Sequence, residues 1–326
     1  MSLSYLWARS GSDEVKLRLD TGFCTESGRR ADNTDDSKKA PAPMRLSLKT
    51  ARIHRGQHQS MFSSSPILAT LFLALSLPGT VESAPGIHLL PHVARYSLSR
   101  NFADPDSGVA AVKGMMEVRL EISCDGYGVE QYLGFNVLGD DESQFEHLAY
   151  LSSFEDAPGK EFYFEARTYE NRRLTDELAG KATVKDSGAG EIRYSRPEIV
   201  TEALPAKTMF PIKHLELIIQ AAQKGERSVR YTVFDGTTRD NPFEISTFIG
   251  TAGGGGDKNI ALLSGLTFWP VRLAYFKPGS VSLAPEFEMS AQVFENGVIG
   301  DMIYDYGNFA IDVTLEVLEA LPRPEC

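Results

Sequence analysis

FEMSAQVFENGVI, Phe287 to Ile299, alternates apolar and polar side chains on both sides of an Asn296-Gly297 pair. A period of two is the pattern of a half-buried strand. Asn-Gly between two such runs is the strongest short signal for a hairpin, and it predicts a type I′ turn with both central residues at positive φ. The next turn follows at once. Gly307-Asn308 separates Asp301–Tyr306 from Phe309–Leu318, whose Phe309, Ile311, Val313, Leu315 and Val317 fall on one face. The C-terminal end of the chain therefore reads as a meander of antiparallel strands.

The same alternation recurs upstream. Met116, Val118, Leu120 and Ile122 share one face of MEVRLEI, and Val129, Leu133, Phe135 and Val137 share one face of the run from Tyr127 to Val137. Phe162, Phe164 and Ala166 do so within Glu161–Thr168, and Val229–Val233, Phe243–Ile249 and Val271–Tyr275 read likewise. One segment breaks the pattern. FPIKHLELIIQAAQKG, Phe210 to Gly225, carries Pro in the first turn, Ile212, Leu215, Ile219 and Ala222 on one stripe, and Gly as terminator, which predicts the main helix. A single amphipathic helix among many strands has no second helical layer to pack on, so it must cover a face or an opening of the sheet. The expected fold is all-β, a long antiparallel sheet of spiral or barrel-like form with one main amphipathic helix.

The N-terminal third reads differently. MFSSSPILATLFLALSLPGTVESAPG, Met61 to Gly86, has an apolar part, Ile67 to Leu77, of about eleven residues, where a bilayer-spanning helix takes roughly twenty. It reads as the apolar region of a signal peptide, ended by Pro78-Gly79 and followed by Val81 and Ser83 at the two small-residue positions before a cut. Cleavage is placed after Ser83, because one residue later would set Pro85 beyond the scissile bond and Glu82 where a small residue is wanted. Met61–Ser65 supplies no positive charge, whereas Arg45, Lys49, Arg52 and Arg55 follow Met44, so Met44 is the alternative start. The competing interpretation is an uncleaved anchor. Residues 1–60 then form an over-extended reading frame or a disordered leader, 61–83 the signal peptide, and 84–326 a single β-rich domain.

Setting aside the 11 basic and 8 acidic residues before Ala84 from the 33 and 44 of the whole chain leaves 22 against 36, net −14. That balance repels nucleic acid and anionic lipid. Cys24 falls in the leader, which leaves Cys124 and Cys326 as an even pair in a chain bound for an oxidising compartment. They are expected to form a disulfide, the alternative being two free thiols, and with no neighbouring His they make no zinc site.

Little else points to chemistry. His88, His92, His147 and His214 are the histidines after the signal segment, and none has metal-ligand spacing. Leu89-Leu90-Pro91 argues against a helix aligning His88 with His92, so both are placed on an exposed segment, and His214, beside the apolar stripe, on the helix surface. TAGGGGDKN, Thr251 to Asn259, lacks the Gly-Lys-Ser/Thr of a phosphate loop, so no nucleotide is expected. No Gly-x-Ser-x-Gly elbow occurs, and Asp140-Asp141-Glu142 reads as a solvated hairpin tip rather than an acid/base pair. No catalytic residue, cofactor site or metal site is assigned.

Several segments, taken in order, carry a resemblance. PHVARYSL (91–98), CDGY (124–127), YENRRLTDELAG (169–180), FPIKH (210–214) and VFDG (233–236) are followed by WPVRLAYF (269–276), FENGV (294–298), DYGNF (305–309) and the terminal Cys326. Together they resemble the EipB family of alphaproteobacterial periplasmic proteins over roughly residues 91–326. The resemblance implies a non-catalytic periplasmic protein with a spiral, barrel-related sheet, needed for envelope integrity and closed by a disulfide at positions matching Cys124 and Cys326. The long leader, the four-glycine loop, the Pro278–Pro285 insert and Tyr127, where the pattern implies Trp, depart from it. Three functions follow for testing. They are a scaffold that docks another periplasmic protein, a carrier with an apolar cavity for lipid or a small ligand, and a glycan-acting hydrolase. No nucleic acid, nucleotide or transmembrane partner is expected.

Overall fold

The computed structural model describes residues 87–254 and 260–326. The leader, the signal segment Met61–Ser83 with its cleavage position and alternative start Met44, and residues 255–259 of the glycine-rich loop lie outside the described residues. In chain order the strands are β1 (His92–Ala103), β2 (Val109–Ile122), β3 (Gly126–Gly139), β4 (Gln144–Asp156), β5 (Glu161–Glu170), β6 (Arg173–Val184), β7 (Gly190–Arg196) and β8 (Val200–Leu204). The helix α1 (Pro211–Gln223) comes next, then β9 (Ser228–Val233), β10 (Phe243–Ile249), β11 (Phe268–Phe276), β12 (Phe287–Phe294), β13 (Ile299–Asp305) and β14 (Phe309–Ala320).

All fourteen strands join one antiparallel sheet in the order β8 through β1, then β14 down through β9. It is thus two meanders, each a run of hairpins, joined where β1 pairs with β14. The sheet is not closed, since β8 and β9 are its two edges. The chain nevertheless draws the edges toward a common seam. Met209, just before α1, makes a parallel bridge to Val233 of β9. Phe210 and Phe234 both enter the small core on the inner face of β5–β8, with Phe162, Phe164 and Tyr194. Arg239, in the loop after β9, bonds Glu202 of β8 at 2.8 Å and lies 4.2 Å over the Tyr194 ring.

Alternation works as expected on most strands, because one face of each turns to the interior. The exceptions have local causes. A bulge at Glu316, between the Arg95–Val317 and Tyr96–Leu315 pairs, reverses the phase of β14. Val317 is consequently exposed rather than inward, and Leu318 packs on the core instead. At the β12–β13 turn only Gly297 has positive φ, at 80°, and its N–H donates to the Phe294 carbonyl, so the turn is type I with a bulge glycine and not type I′.

The helix obeys its sequence signals. Pro211 occupies the first turn, and the N–H groups of Gly225 and Glu226 bond back to Ala222 and Ala221, closing the C-terminus with Gly225 at φ 77°. Ile212, Leu215, Ile218 and Ile219 are buried in the larger core, which the inner faces of β1–β3 and β9–β14 share. A cavity of about 40 Å³ remains between α1 and β11–β13, lined by Leu215, Ile218, Leu273 and Met289 among others. The helix packs into the interior against the inner faces of the strands.

Gly236 lies in the seam loop at φ +70°, and a Cβ there would stand 2.5 to 2.8 Å from three carbons of Phe164. Gly236→Ala is therefore expected to destabilise by about 2 kcal/mol or more, through the left-handed backbone and the displaced ring together. An unchanged urea midpoint would refute the seam packing.

Candidate functional site

The Sγ atoms of Cys124 and Cys326 are bonded at 2.10 Å, with the Cα atoms 5.6 Å apart and a sequence separation of 202. Cys124 lies in the turn from β2 to β3. The tail after β14 runs back beside the start of β1, where the Leu321 N–H donates to the Pro91 carbonyl at 2.8 Å and Arg323 donates to the Leu89 carbonyl.

The histidines divide. His88 is exposed, as expected of its segment. His92 is not, because β1 begins at that residue and sets it in phase with the inward Ala94, Tyr96 and Leu98, so it is fully buried. His214 is buried too, since the apolar face of α1 is wider than the four-residue stripe and takes in Ile218 one turn on. His147 is buried on β4 and stacks on Phe135 with ring centroids 5.0 Å apart. Burial pushes the His147 imidazole down to about 4 and His214 down to about 3. These rings are neutral, separated core residues. Among the described residues no three His, Cys, Asp or Glu gather as a metal group. Asp140, Asp141 and Glu142 are exposed at the β3–β4 turn, as a hairpin tip should be.

A carboxylate that the sequence did not single out holds the helix. Phe210 offers no side-chain cap, and Glu155, buried on β4, accepts the Ile212 N–H at 2.7 Å and the Lys213 N–H at 2.9 Å. Burial pushes its carboxyl up to about 7, against the opposing pull of those two backbone bonds. It is a cap supplied from 57 residues away in sequence.

The outer face of the first meander carries a ladder of paired aromatic and charged side chains. Strand register sets Arg95 opposite Glu117, Glu117 opposite Tyr132, Tyr132 opposite Tyr150, Tyr150 opposite Arg167, and Arg167 opposite Glu177. Two rings thus sit side by side between an Arg–Glu pair at either end. The Tyr132 and Tyr150 centroids are 5.2 Å apart, and Tyr150 is 44 % exposed. A Cβ on Gly134 would lie 2.6 Å from the Tyr132 hydroxyl, so the bare backbone there lets that ring lie along its strand.

The parallel row beside it is Arg119, Glu130, Ser152 and Glu165 in register. Between the rows lies a groove of about 290 Å³. Its flanking charges cancel locally. Arg95 bonds Glu117 at 2.6 Å and Glu319 at 3.1 Å, Arg167 pairs with Glu165 and with Glu177 at 3.0 Å, and Arg196 joins the same two glutamates at 2.8 and 3.1 Å. Glu130 and the hydroxyls of Tyr132 and Tyr150 have no bonding partner among the described residues. A second groove of about 660 Å³ lies outside β10–β14, with Phe248, 58 % exposed, and Ile303 along it. Neither surface announces itself in the sequence, because outward residues of different strands are brought together only by register.

Fold and surface define an open, curled antiparallel β-protein, filled by its helix, stapled near its C-terminus and presenting its polar chemistry outward. The chain belongs to the EipB-like family, whose model matches residues 83–322. It is 28 % identical over 249 residues to the cell envelope integrity protein EipB of Brucella abortus strain 2308, an alignment covering 74 % of this chain and 88 % of that one. It also superposes on the crystal structure of a beta-barrel-like protein carrying a domain of unknown function, again from Brucella abortus. That match has a TM-score of 0.67 and 29 % identity over 73 % of this chain and 100 % of the other.

Proposed function

We propose that this chain is a periplasmic, non-catalytic protein that supports the integrity of the cell envelope by docking another envelope protein. On this reading Met61–Ser83 directs export and is removed, residues 84–326 act as one domain, and the Cys124–Cys326 bridge persists in an oxidising compartment. Membership of the family and the envelope-integrity role named for the Brucella relative support the envelope assignment.

The observation that carries the docking step is the filled interior. A cavity of about 40 Å³ has room for a water or two, whereas a lipid tail or a drug-sized ligand needs several hundred. The carrier reading is disfavoured on that ground, and function moves to the outer surface. The groove of β10–β14, with the exposed Phe248 ring and Ile303 among Arg272, Gln292 and Thr314, suits a protein partner with an apolar centre and a polar rim.

The test is complementation. Deleting the gene should sensitise its host to detergent, and wild-type protein should restore resistance. Phe248→Glu, on an exposed site, should melt as wild type yet restore about tenfold fewer survivors, as loss of one central anchor implies. Full rescue by that variant, or a stoichiometric lipid in mass spectra of extracts from purified protein, would count against docking through this groove.

A further inference from the structure

The groove over Tyr132 and Tyr150 is built for a ligand of a different kind from a protein anchor. Its apolar content is the Tyr132 and Tyr150 rings, one per strand and tilted by 58° to each other, with Leu151 beside them, and the other lining residues are polar or charged. The arginines at its ends are already neutralised, Arg95 by Glu117 and Arg167 by Glu165 and Glu177, so the face offers no unpaired positive field to a polyanion. The acidic balance of the chain after Ala84 adds to that exclusion. An unpaired carboxylate, Glu130, remains to bond a ligand rich in hydroxyl groups, while the Tyr132 hydroxyl lies on the other side of its ring, over Gly134. Ser152, small and opposite Glu130, leaves the space between them open.

Spacing narrows the class further. Neighbouring strands lie about 4.8 Å apart, so paired residues on adjacent strands repeat at that interval across the sheet. The Tyr132 and Tyr150 centroids, at 5.2 Å, keep this repeat. A β-linked sugar chain advances by nearly the same length per residue and presents a flat C–H face to an aromatic ring while its equatorial hydroxyls point sideways.

We propose that this groove binds a neutral, β-linked glycan laid across the strands, with successive sugars on Tyr132 and Tyr150 and their hydroxyls bonded by Glu130, Ser152 and the Arg167–Glu165 pair. The proposal deepens the reading that the outer surface is the working one, and it uses a face separate from the Phe248 groove. The neutral sugar backbone of a cell-wall strand and a free oligosaccharide share this chemistry.

The experiment titrates the oxidised protein with a hexamer of β-1,4-linked N-acetylglucosamine, followed by calorimetry and tyrosine fluorescence. Sedimentation with purified cell-wall sacculi runs in parallel. Binding of the hexamer is expected, weakened about tenfold or more by Tyr150→Ala and several-fold by Glu130→Gln, retained by Tyr150→Phe, and unchanged by Phe248→Glu. Melting temperatures of the variants guard against a trivial loss of fold. Hexamer binding with co-sedimentation identifies the wall polymer as the source, and hexamer binding without it a free oligosaccharide. Either upholds the proposal. No binding by wild type at millimolar hexamer, equal binding by Tyr150→Ala, or a protein trapped by a photocrosslinker at position 150 in place of any glycan would overturn it. Because Phe248→Glu is read out by rescue and Tyr150→Ala by glycan binding, failure of one reading is separable from failure of the other.

Discussion

Oxidised Cys326→Ser protein is expected to melt about 10 °C or more below oxidised wild type. The bridge closes a loop with a sequence separation of 202, and a loop of that length removes about 5 kcal/mol of entropy from the unfolded chain on the chain-entropy account. For a domain of this size each kcal/mol moves the midpoint by about 2–4 °C. Location adds to length. The two meanders meet at the β1–β14 pairing, whose partners lie more than two hundred residues apart in the chain, and the disulfide clamps the turn after β2 to the tail after β14 beside that joint. The tail is otherwise held by Leu321 on Pro91 and Arg323 on Leu89. Cys124→Ser should match Cys326→Ser, and the double variant should lose no more than either, since each change removes the same link. Wild-type protein that melts identically with and without reductant would defeat this account.

What the sequence reveals about this fold follows the range of each interaction. Hairpins such as β12–β13 and β13–β14 are legible because alternation and turn residues are local. Helix α1 is legible from its stripe and Gly225. The β1–β14 joint is not, because nothing near His92 or Ala320 names its partner, and only the cysteine pair hints at it. His92 illustrates a recoverable error. Read in phase with Ala94, Tyr96 and Leu98 it belongs inward, and weighting Pro91 as a breaker concealed a strand that starts at the next residue. Val317 is not recoverable in this way, since a single bulge residue leaves no local pattern. Glu155 as the helix cap and the Tyr132–Tyr150 row both depend on register between distant segments, which composition and periodicity do not encode.

Those hidden placements set an acid response whose sign is the sum of opposing titrations. His147 has neither ring nitrogen bonded, and His92 and His214 each leave Nε2 unbonded within the core, so protonation puts an unpaired charge there. Burial holds His147 near 4 and His214 near 3 and lowers His92, whose Nδ1 bond to the Leu90 carbonyl opposes it. An unfolded histidine titrates near 6.5, so these groups stabilise the fold above that pH, and the stabilisation is lost as pH falls toward the folded values. At pH 4.5 the loss from His147 and from His214 is about 2–3 kcal/mol each.

Glu155 works in reverse. Its folded value of about 7 lies above the unfolded one, so the fold keeps a proton that the open chain gives up, and stability grows by about 3 kcal/mol between pH 7 and 4.5. Wild type should therefore soften in acid by less than its histidines alone require. Urea titrations at both pH values separate the terms. His147→Leu, close in volume and without a titrating ring, should lose about 2–3 kcal/mol less between pH 7 and 4.5 than wild type, and Glu155→Gln about 3 kcal/mol more. If all three proteins lose the same amount over that interval, the buried placements of both side chains are wrong.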